Sequence, residues 1–292
     1  MVKGSCLCGT VKWETEAPFN RMRHCHCARC RKAHGAPFAT YFSVPKERFH
    51  LTAGAAAITR YPSSPEYHRS FCSTCGSVTP STGNGDTVDV PAGCLDTDPE
   101  TRPMMHIFAA STPVWDRITD DLPRHDTFEP GNDADVLPDS PAPESGGTLR
   151  GSCLCGGAEF EAGAPFRVAY HCHCNRCQKA RAAAHTSNGS IAAEGLRYLK
   201  GEDLLVHFKV ADAAFFTHTF CSVCGSGMVK PGTGERPFVT IPLASLDGDP
   251  GIRPTQHIYT NYNAPWFEIS GDLPRRDEGP EIQTIDLFQD PA

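Results

Sequence analysis

Fourteen of the chain's fifteen cysteines fall into one pattern that occurs twice. Each occurrence runs C-x-C, then C-x-C-x-x-C, then C-x-x-C. The first supplies Cys6 and Cys8, then Cys25, Cys27 and Cys30, then Cys72 and Cys75. The second supplies Cys153 and Cys155, then Cys172, Cys174 and Cys177, then Cys221 and Cys224. Such spacing suits metal–thiolate chemistry. In an extended chain, residues two apart point to the same side, so C-x-C offers both sulfurs to one ion. A tight turn does the same for C-x-x-C. Gly9, Gly76, Gly156 and Gly225 follow these pairs and permit the left-handed turn that aims backbone N–H groups at sulfur. Two knuckles of this kind close a tetrahedral Cys₄ zinc site. The spacing assigns Cys6, Cys8, Cys72 and Cys75 to one site, and Cys153, Cys155, Cys221 and Cys224 to its twin.

The triads Cys25, Cys27, Cys30 and Cys172, Cys174, Cys177 remain. Three thiolates within six residues repel one another unless a cation lies between them. Three ligands leave one tetrahedral position open, as a catalytic zinc requires. A neighbouring histidine or an inert water would instead make each triad a second structural site. The open reading is preferred because closed sites ordinarily show four evident ligands. His26 and His173 lie inside the triads, and His24 and His171 just before them. Each is a fourth ligand, an acid or base, or a partner hydrogen-bonded to a thiolate. The last role is expected, since a stretch that already supplies three sulfurs leaves little room for an imidazole on the same ion. His106 and His257 fall in strand-like segments and are expected as hydrogen-bonded core residues. Trp115 and Trp266 are expected in the core. Cys94, whose counterpart is Ser245, reads as a small core residue.

These residues are set in a tandem duplication whose offset stays near 150 residues throughout. Gly4-Ser-Cys-Leu-Cys-Gly9 returns as Gly151 to Gly156, and Asp121-Leu-Pro-Arg124 as Asp272 to Arg275. The expected division is a first domain over 1–128, a Pro/Asp/Gly-rich linker over 129–148, a second domain over 149–276 and an acidic tail over 277–292. Ile282, Ile285, Leu287 and Phe288 give that tail a few apolar residues for docking on a domain. Val11, Trp13 and Thr15 alternate with charged residues as on a half-buried strand. Phe38 to Val44, Thr87 to Val90, Met105 to Phe108 and Phe238 to Ile241 also read as strands, and Ala28 to Ala33 and Arg176 to Ala183 as short helices. The class is mainly β with little helix, in keeping with 25 prolines and 26 glycines.

The formal charge of −7 and the lack of any Lys/Arg run exclude a phosphate-binding surface, so no nucleic acid is expected as partner. No segment approaches the 18 or so apolar residues of a membrane span, and no apolar leader precedes the first motif. A cytoplasmic protein is expected, in a reducing compartment where clustered cysteines mean metal and not disulfides. Composition carries no signal of oligomeric state.

Taken together, Gly-Ser-Cys-Leu-Cys-Gly, Cys-His-Cys-x-x-Cys, Phe-Cys-x-x-Cys-Gly-Ser, Leu-Asp and His-Ile resemble the glutathione-dependent formaldehyde-activating enzymes. The resemblance covers nearly all of residues 2–126 and 149–276. It implies two tandem Mss4-like zinc-bearing β domains, each with a structural Cys₄ zinc and a three-cysteine zinc engaged by a thiol. The implied activity is carbon–sulfur lyase-type chemistry that joins glutathione and formaldehyde as S-(hydroxymethyl)glutathione. The alternative is a non-catalytic zinc scaffold, or a carrier of a thiol or an aldehyde. The halves differ beside the triads: Phe38 and Phe42 of the first become His185 and Gly189 in the second. The first half keeps the family's aromatics, so Cys25, Cys27 and Cys30 are expected to form the working site, with His26 beside them. Zinc analysis of the purified protein is expected to give two ions per half. One per half would mean that only the four-cysteine sets hold metal.

Overall fold

The computed structural model describes residues 1–82, 85–132, 134–137, 148–163, 165–214, 216–232, 234 and 236–280. Strands dominate, and two short α-helices occur among these residues. The proposed tail residues Ile282, Ile285, Leu287 and Phe288 and most of the linker lie outside them. Glu129, assigned to the start of the linker, is buried and paired with Arg21 at 3.1 Å.

Each half repeats the same three sheets. In the first, Val2–Ser5, Lys12–Thr15 and Phe49–Ala53 form an antiparallel sheet. Val11, Trp13 and Thr15 are buried as their alternation requires. A five-stranded sheet follows in the order His106–Ile107, Asn20–Cys25, Ala39–Pro45, Thr87–Pro91 and Ser81–Thr82. The third sheet holds Ile58–Ser64, Tyr67–Cys72 and Val78–Thr79. The second half matches all three, except that Arg275–Arg276 forms the fifth strand of its large sheet, on the other edge.

The large sheet positions the triads. Cys25 ends the strand that pairs in parallel with His106–Ile107, and Cys172 ends the equivalent strand beside His257–Ile258. Helix α1 (Ala28–His34) or α2 (Asn175–Arg181) starts immediately afterwards, with Cys27 or Cys174 as its N-cap. The capping sulfurs accept the N–H of Cys30 and Cys177, both at 3.4 Å. The strand end and the helix start therefore fold three sulfurs onto one point. α1 ends on Gly35, whose φ of 61° suits glycine, whereas α2 ends on Ala182 at φ 50°.

The halves interlock through reciprocal contacts of the kind an approximate twofold axis produces. The Lys32 ammonium donates to the Ser152 carbonyl at 3.0 Å, to the Ser152 hydroxyl at 2.5 Å and to the Asp247 carboxylate. Lys179, its repeat equivalent, donates to the carbonyl and hydroxyl of Ser5, each at 3.0 Å, and to the Asp96 carboxylate. Gly76 and Gly225 each face the opposite half's aromatic ring, so that a Cβ would stand 2.4 Å from Phe220 and 2.6 Å from Phe71, respectively. The tryptophans are exchanged. Trp115 packs in the second half's core beside Phe160 and Leu243, and Trp266 packs in the first half's core beside Phe42 and Val90. Both are core residues, as expected, but each serves the other half. Cys94 is buried between Val78 and Lys179 in the same interface.

Lys32 is nearly buried and Asp247 only a quarter exposed, so the variant Lys32→Met leaves a carboxylate and a carbonyl without their cation. Chemical denaturation is expected to show a loss of about 2 to 3 kcal/mol. A change within ±0.5 kcal/mol would show that the reciprocal lysines do not hold the halves together.

Candidate metal centres and the cavity at the second triad

All four sets of cysteines assigned from spacing come together. Within each, every sulfur lies within 4.8 Å of the others: Cys6, Cys8, Cys72, Cys75; Cys153, Cys155, Cys221, Cys224; Cys25, Cys27, Cys30; and Cys172, Cys174, Cys177. A tetrahedral zinc with Zn–S bonds of about 2.3 Å sets its sulfurs about 3.8 Å apart. The Cys8–Cys72 and Cys155–Cys221 separations are 3.8 Å and Cys25–Cys27 is 3.6 Å, while Cys6–Cys8 and Cys153–Cys155 are shorter, at 3.4 and 3.3 Å. The donor sets therefore fit zinc. Gly9, Gly76, Gly156 and Gly225 adopt φ between 68° and 74°. The Val11 and Ala158 amides donate to Cys6 and Cys153 at 3.2 Å. The knuckles thus have the turn and the N–H···S bonds that their sequence requires.

The histidines depart from the role given to them. His24 and His171 share hydrogen bonds of 2.8 Å with Thr40 and Ser187. His26 turns Nε2 to Nδ1 of His106 at 2.8 Å, and its Nδ1 has no partner, so neither ring nitrogen binds a thiolate. His106, a buried core residue as expected, in turn places Nε2 2.9 Å from Asp120. The carboxylate can only accept, so the protons run from His26 to His106 to Asp120. In the second half this order reverses. The Asn263 amide nitrogen donates to the carbonyls of Phe267 and Ala264, which leaves its oxygen to accept from His173 at 3.1 Å. His173 Nε2 then accepts from His257 at 2.9 Å. Burial holds the pKa of both His26 and His173 down to about 3, so both stay neutral in water at ordinary pH.

The two triads have different surroundings. Around the first, Arg69 donates to the Cys30 sulfur at 3.4 Å, Tyr41 packs against Cys25 and Cys30, and His34 Nε2 bonds to the Tyr41 hydroxyl at 2.5 Å. Tyr67 closes this group with a bond of 3.2 Å to Asp89. At the matching positions of the second half stand His218, Asn188, Arg181 and Phe216. There the space opens into a cavity of about 690 Å³ lined by Cys172, Cys174 and Cys177. Arg176, Lys209, Lys230 and Arg236 stand on its exposed wall, with Asp212 as the one acid among the described lining residues. Tyr67 and Arg69 lie about 40 residues after the first triad in the chain and reach it through the third sheet. The repeat itself carries the signal of this difference, since Tyr41, Tyr67 and Arg69 become Asn188, Phe216 and His218.

The family model of the glutathione-dependent formaldehyde-activating enzymes matches residues 1–111 and, a second time, residues 148–262. The chain belongs to that family. The two matched stretches of this formaldehyde-activating enzyme family member each contain one full set of seven cysteines. Among solved structures, a Rhodobacter sphaeroides protein determined by structural genomics is similar at 28% identity. The match covers 33% of this chain and 91% of that one, with a TM-score of 0.28. No helix of the described residues is long and apolar enough to cross a membrane.

His185 stands where the first half has Phe38, and the two side chains meet edge to face across the interface, 5.5 Å between ring centres. His185 is buried, and its Nδ1 has no hydrogen-bond partner. Burial, and then His173, hold its pKa well below 6.5. The unfolded chain takes up this proton near pH 6.5 and the folded chain refuses it, so folded stability falls as pH drops through that value. The variant His185→Phe removes this dependence. From about pH 7.5 to pH 5.5 it is expected to lose about 1 kcal/mol less stability than the parent. Equal acid sensitivity in urea titrations would place His185 in contact with water.

Proposed function

We propose that the protein joins a small thiol to a small aldehyde, with glutathione and formaldehyde as the reactants the family indicates, and that the second triad is the working site. The single observation that carries the choice of site is the cavity beside Cys172, Cys174 and Cys177, set against the filled surroundings of Cys25, Cys27 and Cys30. Zinc bound by the second triad would supply an open coordination position, deprotonating the thiol and polarising the carbonyl.

The chain's own residues bind and orient the thiol. Glutathione carries two carboxylates and one ammonium, and the described cavity wall offers Arg176, Lys209, Lys230 and Arg236 together with the acid Asp212. Its volume of about 690 Å³ lies within the ordinary range for a small-molecule site. In the reaction the thiolate sulfur forms a bond to the carbonyl carbon. The π electrons move to oxygen, and that oxygen takes the proton given up by the thiol. Nothing leaves, so the site needs no group to expel and no covalent intermediate. His173 is buried, neutral and bonded at both nitrogens, which suits it to hold the triad strand in place and not to move this proton.

We read the first triad as a structural metal site, with Arg69 bonded to Cys30 and Tyr41 in the same buried cluster as Cys25 and Cys30. The described cysteines carry no disulfide, which suits a reducing compartment such as the cytoplasm. The duplicated cysteine sets support reading the matched stretches, with their flanking strands, as two domains.

Formaldehyde and glutathione react unaided, so the test measures the rate above that background. Cys174→Ser is expected to return glutathione-dependent formaldehyde consumption to the spontaneous rate, and Cys27→Ser to leave most of the excess. The opposite pattern would move the working site to the first half. No excess rate in the parent protein would favour a carrier.

A further inference from the structure

Three positions of the repeat differ between the halves in a correlated way. The last residue of the helix is His34 in α1 and Arg181 in α2. The strand residue facing the triad is Arg69 in the first half and His218 in the second. Beyond it stands Val78 in the first half and Gly227 in the second. Each half thus keeps one guanidinium and one imidazole, but on exchanged elements.

The geometry shows why the third position changes with the other two. The Arg181 side chain runs between two glycines. A Cβ at Gly227 would lie 1.4 Å from Arg181 Nη1, and one at Gly35, from the first half, 2.9 Å from it. A valine such as Val78 would occupy the guanidinium's place. Arg181 Nη1 donates to His218 Nε2 at 3.0 Å, so the proton of that ring sits on Nδ1, which donates to the Cys75 carbonyl at 2.8 Å. His34 Nδ1 donates to the Arg181 carbonyl at 2.7 Å, with its Nε2 accepting from Tyr41. The first half therefore holds the arginine's backbone carbonyl directly, through His34, and its guanidinium indirectly, by way of His218. Cys177 favours the charged guanidinium while burial opposes it, lowering its pKa to about 10, so the cation persists at neutral pH.

In the first half the guanidinium bonds directly to Cys30 and fills the space. In the second it lines the cavity together with Cys172, Cys174 and Cys177. Resting on the reading of this cavity as a thiol site, we propose that Arg181 is its specificity-determining residue. It selects anionic thiols over neutral ones, and the first half holds it in place through His34 and, by way of His218, the Cys75 carbonyl.

The test uses the full-length protein loaded with cobalt(II) and two small thiols that differ in charge, mercaptoacetate and 2-mercaptoethanol. The wild type is expected to bind the anionic thiol about tenfold more tightly, equivalent to about 1.4 kcal/mol. Arg181→Gln should abolish that preference with little effect on the neutral thiol, and Arg181→Lys should keep part of it. Gly227→Val should lose it while retaining the arginine. A preference that survives Arg181→Gln, or an equal loss for both thiols, overturns the proposal. If the wild type binds neither thiol, the thiol reading of the cavity falls and the anion-selecting role of Arg181 falls with it. Its place as the cation of the triad is then decided by the metal alone. Loss of a guanidinium beside Cys177 should shift sulfur-to-cobalt charge transfer to longer wavelength, and an unshifted band excludes that role too.

Discussion

Thiolates gathered within a few ångströms of one another repel strongly, and burial multiplies the repulsion because little water is left to screen it. This chain gathers them in four places. Each set lies at the junction of elements that would otherwise be free to part: a first strand against a third sheet, or a strand end against a helix start. A cation bound at each junction would turn that repulsion into attachment. Much else follows from the need to supply positive charge there and to aim N–H groups at sulfur. Glycines follow the paired cysteines for this reason, a cysteine caps each helix, and a buried guanidinium accompanies each triad.

A second constraint comes from size. Each half consists of short strands and small sheets with a modest core, and such domains leave apolar edges that need covering. The duplication meets the need internally. Each half lends a tryptophan to the other's core and seats an aromatic ring against the other's knuckle glycine. A lysine from each helix ties down the opposite half's first motif. The four-cysteine knuckles consequently stand at the seam between the halves, so metal bound there would reinforce the docking of one half on the other. The isolated second half would lack His34 and the Cys75 carbonyl, and with them the first half's hold on Arg181 and His218.

Much of this was legible in the residues. Cysteine spacing pointed to each knuckle and each triad whose sulfurs meet in the structure, because short-range geometry decides which neighbouring sulfurs can face one point. Alternation at Val11, Trp13 and Thr15 and the runs near Phe38 and Thr87 gave strands to within a residue or two. The helices after the triads also fell where expected. Contacts between distant segments were not legible. Adjacency suggested that His26 binds a thiolate, yet the parallel strand pairing of His24 with His106 turns its ring toward His106 and Asp120. Nor was the gathering of Tyr41, Tyr67 and Arg69 around the first triad legible, since these residues meet only once two sheets have packed. The exchange of Trp115 and Trp266 between halves has no local signature at all, since a core residue reads the same whichever core it enters.

The contact between His34 and Arg181 has a further consequence. In a symmetric pair of identical chains, one position cannot be histidine on one side of the axis and arginine on the other, and a glycine that admits a side chain at one site must also hollow out its mate. Covalent fusion lifts that restriction. Once both copies lie on one gene, each position of the shared seam can change alone, and a loss of packing on one side need not be repeated on the other. Val78 and Gly227 are the trace of that freedom: a seam that began as two equal faces now has one closed side and one hollow side.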